Sequence, residues 1–192
     1  MNPCICIVSG ALRPTTLSWL PVFSHITPPN IRRMAAKNQL LSKIRSSTVT
    51  LPLISDIESR PEVRFTSRRS VWLKEPQQEE VLPRQKWTEE WAALDVVDSS
   101  LIVDSSIAPP GFDRRRCLWS MLNHFRTGQG RCGANLIRWN QASDPSCSCG
   151  APSQTMSHIV NDYPDIKFPG NLSALHLADE EAIAWLGMQS IC

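Results

Sequence analysis

Fifteen prolines stand against eight glycines in 192 residues, so the chain is stopped by a rigid ring more often than it is released by a flexible residue. A proline supplies no amide donor and clashes with a preceding helical turn, which confines it to helix starts, turns and irregular connections. Short helices between Pro-rich links are the expected result. Pro14, Pro21, Pro28 and Pro29 divide the first segment, where Leu17, Trp19, Leu20, Val22, Phe23 and Ile26 make two short packed pieces. Beyond Pro28-Pro29, Ile31, Met34, Ala35, Leu41 and Ile44 recur near the helical period and predict a helix. Pro83 opens a further helix, with Trp87, Trp91, Leu94 and Val97 on one stripe and Asp98-Ser99-Ser100 at its end.

After Pro109-Pro110, Asp113 is the predicted N-cap of a helix carrying Leu118, Met121, Leu122 and Phe125 inward, with Arg114, Arg115 and Arg116 in its first turn. Thr127-Gly128-Gln129-Gly130 ends it. A short apolar and basic piece follows from Asn135 to Trp139, and a last helix runs from Asp179, its cap, to Leu186 with Ile183 and Leu186 inward. No segment alternates as a strand would. The fold class is therefore mainly α: short helices, irregular Pro-rich connections and little or no sheet. Residues 1–44 form a helical segment, 45–82 an irregular linker, 83–140 a helical basic segment, and 141–192 a Cys/His segment with the C-terminal helix.

The composition narrows the class of protein. Apolar stretches such as Cys4 to Val8 are far shorter than the roughly 18 residues of a membrane span. Mean hydropathy is a mild −0.21, and the start carries no basic, apolar leader pattern, so an intracellular chain without membrane contact is expected, in cytoplasm or nucleus. Net charge is only +2, yet residues 1–140 hold 19 Lys and Arg against 12 Asp and Glu, whereas residues 141–192 hold 1 against 6. Within 113–140 six arginines, Arg114, Arg115, Arg116, Arg126, Arg131 and Arg138, face Asp113 alone, which makes this segment the candidate surface for RNA or DNA phosphates. The aromatics beside them, Trp119, Phe125 and Trp139, sit at helical core spacing, as Trp87 and Trp91 do, and are expected inside.

Seven cysteines, an odd number without a leader, argue for thiols or a metal rather than a disulfide framework. Cys147-Ser148-Cys149-Gly150 followed by His158 reads C-x-C-x8-H: two thiolates one residue apart, a glycine that lets backbone fold round an ion, and an imidazole, as a small tetrahedral zinc site needs. The fourth position is open. Tyr163 stands where a Cys or His would complete the set, and a phenol is a poor ligand near neutral pH. Asp162, His176, Cys132 or water are the alternatives. Cys117 or Cys132 with His124 lies in no nucleophile setting, and Cys4, Cys6 and Cys192 read as plain thiols.

Several strings resemble a known family. Ser9-Gly10-Ala11-Leu12-Arg13-Pro14-Thr15-Thr16-Leu17-Ser18-Trp19-Leu20-Pro21-Val22 and Ile26-Thr27-Pro28-Pro29-Asn30-Ile31-Arg32-Arg33 resemble the segment after the polymerase core in reverse transcriptases of non-LTR, LINE-type retrotransposons. Pro110-Gly111-Phe112-Asp113, Trp119-Ser120-Met121-Leu122-Asn123, Phe125-Arg126-Thr127-Gly128-Gln129-Gly130, Cys149-Gly150, Gln154-Thr155-Met156-Ser157-His158-Ile159 and Ala178-Asp179-Glu180-Glu181-Ala182-Ile183-Ala184-Trp185-Leu186 resemble the tail of jockey-like elements. The resemblance spans nearly the whole chain and is weakest over 45–80.

It implies a thumb-to-tail fragment of an RNA-directed DNA polymerase, closed by a CCHC-like zinc knuckle that holds template RNA or target DNA. Cys147, Cys149 and His158 match the knuckle, and Tyr163 replaces its last Cys. The family's Phe/Tyr-Ala-Asp-Asp motif, which holds two magnesium ions, is missing: no Asp-Asp pair occurs anywhere in the sequence. No polymerase or endonuclease site, and no magnesium site, is thus expected in this chain. Two readings follow: a nucleic-acid-binding accessory tail, with weak zinc and upstream reverse-transcriptase domains as partners, or a structural or functionless product of a decayed transposable element copy.

Overall fold

A computed structural model describes residues 3–50, 52, 55 and 82–189. Among these the regular structure is helical and no strand occurs, in agreement with the mainly α expectation. The helices are α1 (Pro3–Ser9), α2 (Trp19–Ser24), α3 (Pro29–Ser46), α4 (Pro83–Ala92), α5 (Arg116–Arg126), α6 (Gly133–Arg138), α7 (Met156–Asn161), α8 (Leu172–His176) and α9 (Glu180–Met188), with a 3₁₀ turn at Ser99–Leu101. Most of the irregular linker expected over 45–82 lies outside the described residues.

The chain forms two compact units, Met1–Ile26 with Thr88–Cys192, and Thr27–Trp87. This partition cuts across the four consecutive segments read from sequence, because α1 and α2 pack with the C-terminal helices. The smaller unit contains α3. Proline at its N1 position starts α3 without losing a helical hydrogen bond, and Lys43 and Arg45 in its last turn complement the negative end of its dipole.

In the larger unit, aromatic rings make the first layer. Trp19 stacks on Phe23 with centroids 4.7 Å apart and meets Trp91 edge-on at 4.9 Å. Phe23 meets Trp119 at 6.0 Å, and Trp119 meets Phe112 at 5.4 Å. Such edge-to-face pairs add about 0.5–1.5 kcal/mol each beyond the area they bury. Helix α5 joins this layer to a second, in which Met121, Leu122 and Phe125 pack with Met156, Ile159, Val160, Phe168, Leu175, Ala182, Trp185 and Leu186. Trp119 and Phe125 are thus core residues, as their spacing indicates. Gly10, at φ 68°, lets α1 reach α5: a Cβ there would lie 2.2 Å from Ser120 Oγ. Asn123 Nδ2 then donates to Ser9 O at 2.9 Å.

Helix boundaries follow local chemistry. Asp179 caps α9, its Oδ1 accepting from Ala182 N at 2.8 Å, and Asn171 caps α8 in the same way through Ala174 N at 2.9 Å. Helix α5 starts at Arg116 rather than at Asp113. Pro109-Pro110-Gly111 spends the preceding residues on successive turns, Phe112 N to Pro109 O and Arg114 N to Gly111 O, so Arg114 and Arg115 precede the helix. Helix α4 stops at Ala92, leaving Leu94 and Val97 exposed and not on a buried stripe, because Trp91 Nε1 donates to Ile102 O and the chain turns back there. Helix α1 falls within the helical segment expected over 1–44, although neither it nor α8 is long enough to show a period.

Candidate metal centre

The segment before Cys147 is shaped by its own side chains. Asp144 accepts from Ser146 N at 2.9 Å and from Ser146 Oγ at 2.5 Å, which holds its carboxyl below the usual range. A β-turn then closes over Cys147–Gly150: Gly150 N donates to Cys147 O and Cys147 N donates to Ala151 O, each at 2.9 Å. Gly150 takes φ 90°, a conformation side chains resist.

Gln154 ties this turn to α6. Its backbone N donates to Pro145 O at 2.8 Å, and its carbonyl accepts from Ala134 N at 3.0 Å. Its side-chain Oε1 accepts from Gly133 N at 3.1 Å while Nε2 donates to Cys147 Sγ at 3.5 Å. Gly133 is required by this contact, since a Cβ would fall 2.6 Å from Pro145 O. Thr155 then caps α7 by accepting from His158 N at 3.0 Å, which sets His158 on the first turn.

The result is a cluster that could hold a metal ion: the ligand atoms of Cys147, Cys149 and His158 all lie within 4.8 Å of one another. Cys149 Sγ is 3.3 Å from His158 Nε2. Burial pushes the Cys147 thiol up, but hydrogen bonds from the Cys149 amide, the Cys149 side chain, His158 and Gln154 outweigh it and bring the thiol down to about 7. Sulfur and imidazole donors of this kind suit a transition metal rather than a hard cation such as magnesium.

The candidates for a fourth ligand are placed as follows. Tyr163 Oη shares a hydrogen bond with Ser148 Oγ at 2.7 Å, and its ring centroid is 6.1 Å from that of His158. Asp162 Oδ2 lies 3.8 Å from His158 Nδ1, on the ring nitrogen remote from Cys149, where a carboxylate orients an imidazole rather than sharing its ion. Cys132 belongs to the apolar core, with burial raising its thiol above the ordinary range. His176 is buried and committed to Arg126. Among the described residues, none of these joins the three-residue cluster.

Of the six arginines, Arg126 is not on a surface at all. It is 0% exposed. Its Nε donates to His176 Nδ1 at 2.9 Å, Nη1 to Asn123 Oδ1 at 3.0 Å, and Nη2 to Pro110 O at 2.7 Å and His176 O at 2.9 Å, with the guanidinium 5.3 Å from the Trp119 ring centroid. Its assignment to the phosphate surface is therefore corrected: every nitrogen is spent inside the fold. Burial lowers Arg126 to about 9, and burial with the Arg126 charge lowers His176 to about 4. Sequence reasoning took Arg126 for a surface charge, although it falls on the apolar stripe three and four residues beyond Asn123 and Leu122. Arg114 pairs with Glu180 at 2.9 Å, and Arg116 donates to Val8 O. Arg116 is nevertheless exposed, as are Arg115, Arg131 and Arg138.

Comparison of the chain with family models, curated proteins and solved structures gives no match.

Proposed function

We propose that this chain is a nucleic-acid-binding accessory tail of a LINE-type reverse transcriptase, built round a zinc knuckle at Cys147, Cys149 and His158. The convergence of these three ligand atoms within 4.8 Å carries the reading. Tetrahedral zinc, with bonds of about 2.3 Å to sulfur and 2.0–2.1 Å to nitrogen, sets neighbouring S and N donors about 3.5 Å apart. The 3.3 Å between Cys149 Sγ and His158 Nε2 fits that edge. Zinc there would brace the turn, while Arg115, Arg131 and Arg138, the exposed arginines of the basic segment not engaged by Glu180 or by Val8 O, contact phosphates of RNA or DNA. Upstream reverse-transcriptase domains would supply the polymerase. This chain alone is expected to extend no primer.

Salt dependence tests the binding. Three phosphate contacts predict a slope of log affinity against log salt of about −2 on single strands and about −2.7 on duplex, so a fourfold rise in salt weakens binding about 20-fold and about 40-fold. Arg115, Arg131 and Arg138 changed together to Ala should flatten the slope. Salt-independent affinity, or an unchanged slope in that variant, sinks the proposal.

One observation favours the alternative, a structural or functionless product of a decayed element copy. The residue at the fourth knuckle position, Tyr163, is engaged by Ser148. Absence of both zinc and nucleic-acid affinity in the purified chain would decide for it.

A further inference from the structure

The turn that gathers the two thiols is closed by bonds within the chain. Its backbone bonds, the Gln154 bridge to Gly133 and Ala134, and the Ser148–Tyr163 contact all belong to the chain itself. Bonds of this kind hold the two sulfurs within 4.8 Å of each other. The two are also unequally placed: Cys149 is exposed, whereas Cys147 is buried at 5%.

We infer that Cys147 and Cys149 form a reversible disulfide with small-molecule disulfides of the glutathione class, Cys149 being the attacking thiol and Cys147 the resolving one. Cys149 Sγ attacks one sulfur of the small disulfide, forming a mixed disulfide and releasing one small thiolate. Cys147 Sγ, too enclosed to meet the oxidant first, then attacks Cys149 Sγ and expels the second small thiol. The Cys147–Cys149 bond forms, the small disulfide's bond is broken, and two electrons pass from the chain to it. Both thiol protons leave with the two small thiols, and His158 Nε2, 3.3 Å from Cys149 Sγ, stands where the first is released.

The Sγ atoms of Cys147 and Cys149 lie within 4.8 Å of each other, close enough for side-chain rotation to bring them toward the ~2.05 Å of a disulfide bond. Of the other described thiols, Cys132 lies in the apolar core and Cys117 is exposed on α5, while Cys4 and Cys6, also two positions apart, sit on helix α1, where residues two apart do not face each other. Closure of the bond removes both sulfur donors from the site proposed to hold zinc, so oxidation and metal loading compete for the same atoms. Only this competition rests on the zinc reading.

The test uses the full chain, freed of metal by a chelator and equilibrated with mixtures of reduced and oxidised glutathione. Remaining thiols are alkylated, and the tryptic peptide Trp139–Lys167 is weighed. The expected peptide is unalkylated and lighter by two hydrogens, and it exceeds the glutathione adduct at least tenfold while Cys117 remains mainly alkylated. Cys147→Ser should reverse that ratio by trapping glutathione on Cys149. A wild-type peptide that stays alkylated at both cysteines, keeps glutathione on Cys149, or is crosslinked to another cysteine overturns the inference. A parallel sample with equimolar zinc separates the two proposals: slowed oxidation supports the knuckle, whereas an unchanged rate of disulfide formation refutes the zinc reading and leaves the disulfide standing.

Discussion

Replacing Arg126 by Met tests whether a charge read as a phosphate contact is in fact a structural hub. The guanidinium satisfies four acceptors: His176 Nδ1, His176 O, Asn123 Oδ1 and Pro110 O. Methionine fills the stem's volume but orphans all four, at about 1 kcal/mol or more for each buried acceptor left unpaired. Against this, a buried cation with no carboxylate among these partners carries a desolvation cost that the substitution relieves. The net expectation is a loss of about 2–4 kcal/mol, which for a domain of this size lowers Tm by about 5–15 °C. Exposed Arg115→Ala should stay within about 0.5 kcal/mol. Thermal unfolding followed by circular dichroism measures both, and nucleic-acid titrations measure the salt slope, which Arg126→Met should leave unchanged at a temperature where it remains folded. An unaltered Tm with a slope reduced by about one contact would refute the reasoning and return Arg126 to the binding surface.

Acid should act on the same network. His176 has its folded pKa lowered to about 4 by burial and by Arg126, so as pH falls from about 6.5 the unfolded chain takes up the proton first. Its contribution to stability is fully present above about 6.5 and is lost as pH falls toward 4. Melting curves across this window should be flatter for His176→Gln. At the candidate metal centre, Tyr163→Cys should raise zinc affinity markedly by adding a third thiolate, while Tyr163→Phe should leave it nearly unchanged; competition with a chromophoric chelator reads both. Asp179→Ala should cost about 1 kcal/mol through loss of the α9 cap, seen as a drop of about 2–4 °C in Tm.

Features governed by neighbours in the chain were legible. Proline and capping chemistry placed the starts of α3, α4 and α9, because a ring or a carboxylate acts on the amides next to it. The C-x-C-x8-H spacing identified the three residues whose ligand atoms converge. Short helices were not picked out one by one for the same local reason: α1 and α8 offer 7 and 5 residues, too few turns for a period to stand out. The start of α5 was misplaced because two alternatives, an Asp113 cap and a run of turns after Gly111, use the same residues, and packing chose the second.

By itself, the order of residues determined a mainly helical architecture of short pieces, the inward placement of Met121, Leu122 and Phe125, and a thiol–imidazole cluster in the C-terminal segment. Tertiary structure alone decided which charges meet solvent. Arg126 and Arg115 are alike as symbols, yet one is enclosed by groups up to 50 positions away and the other is exposed. Spacing along one helix records which face a side chain takes; it carries no record of the distant carbonyls that make burial of a cation tolerable.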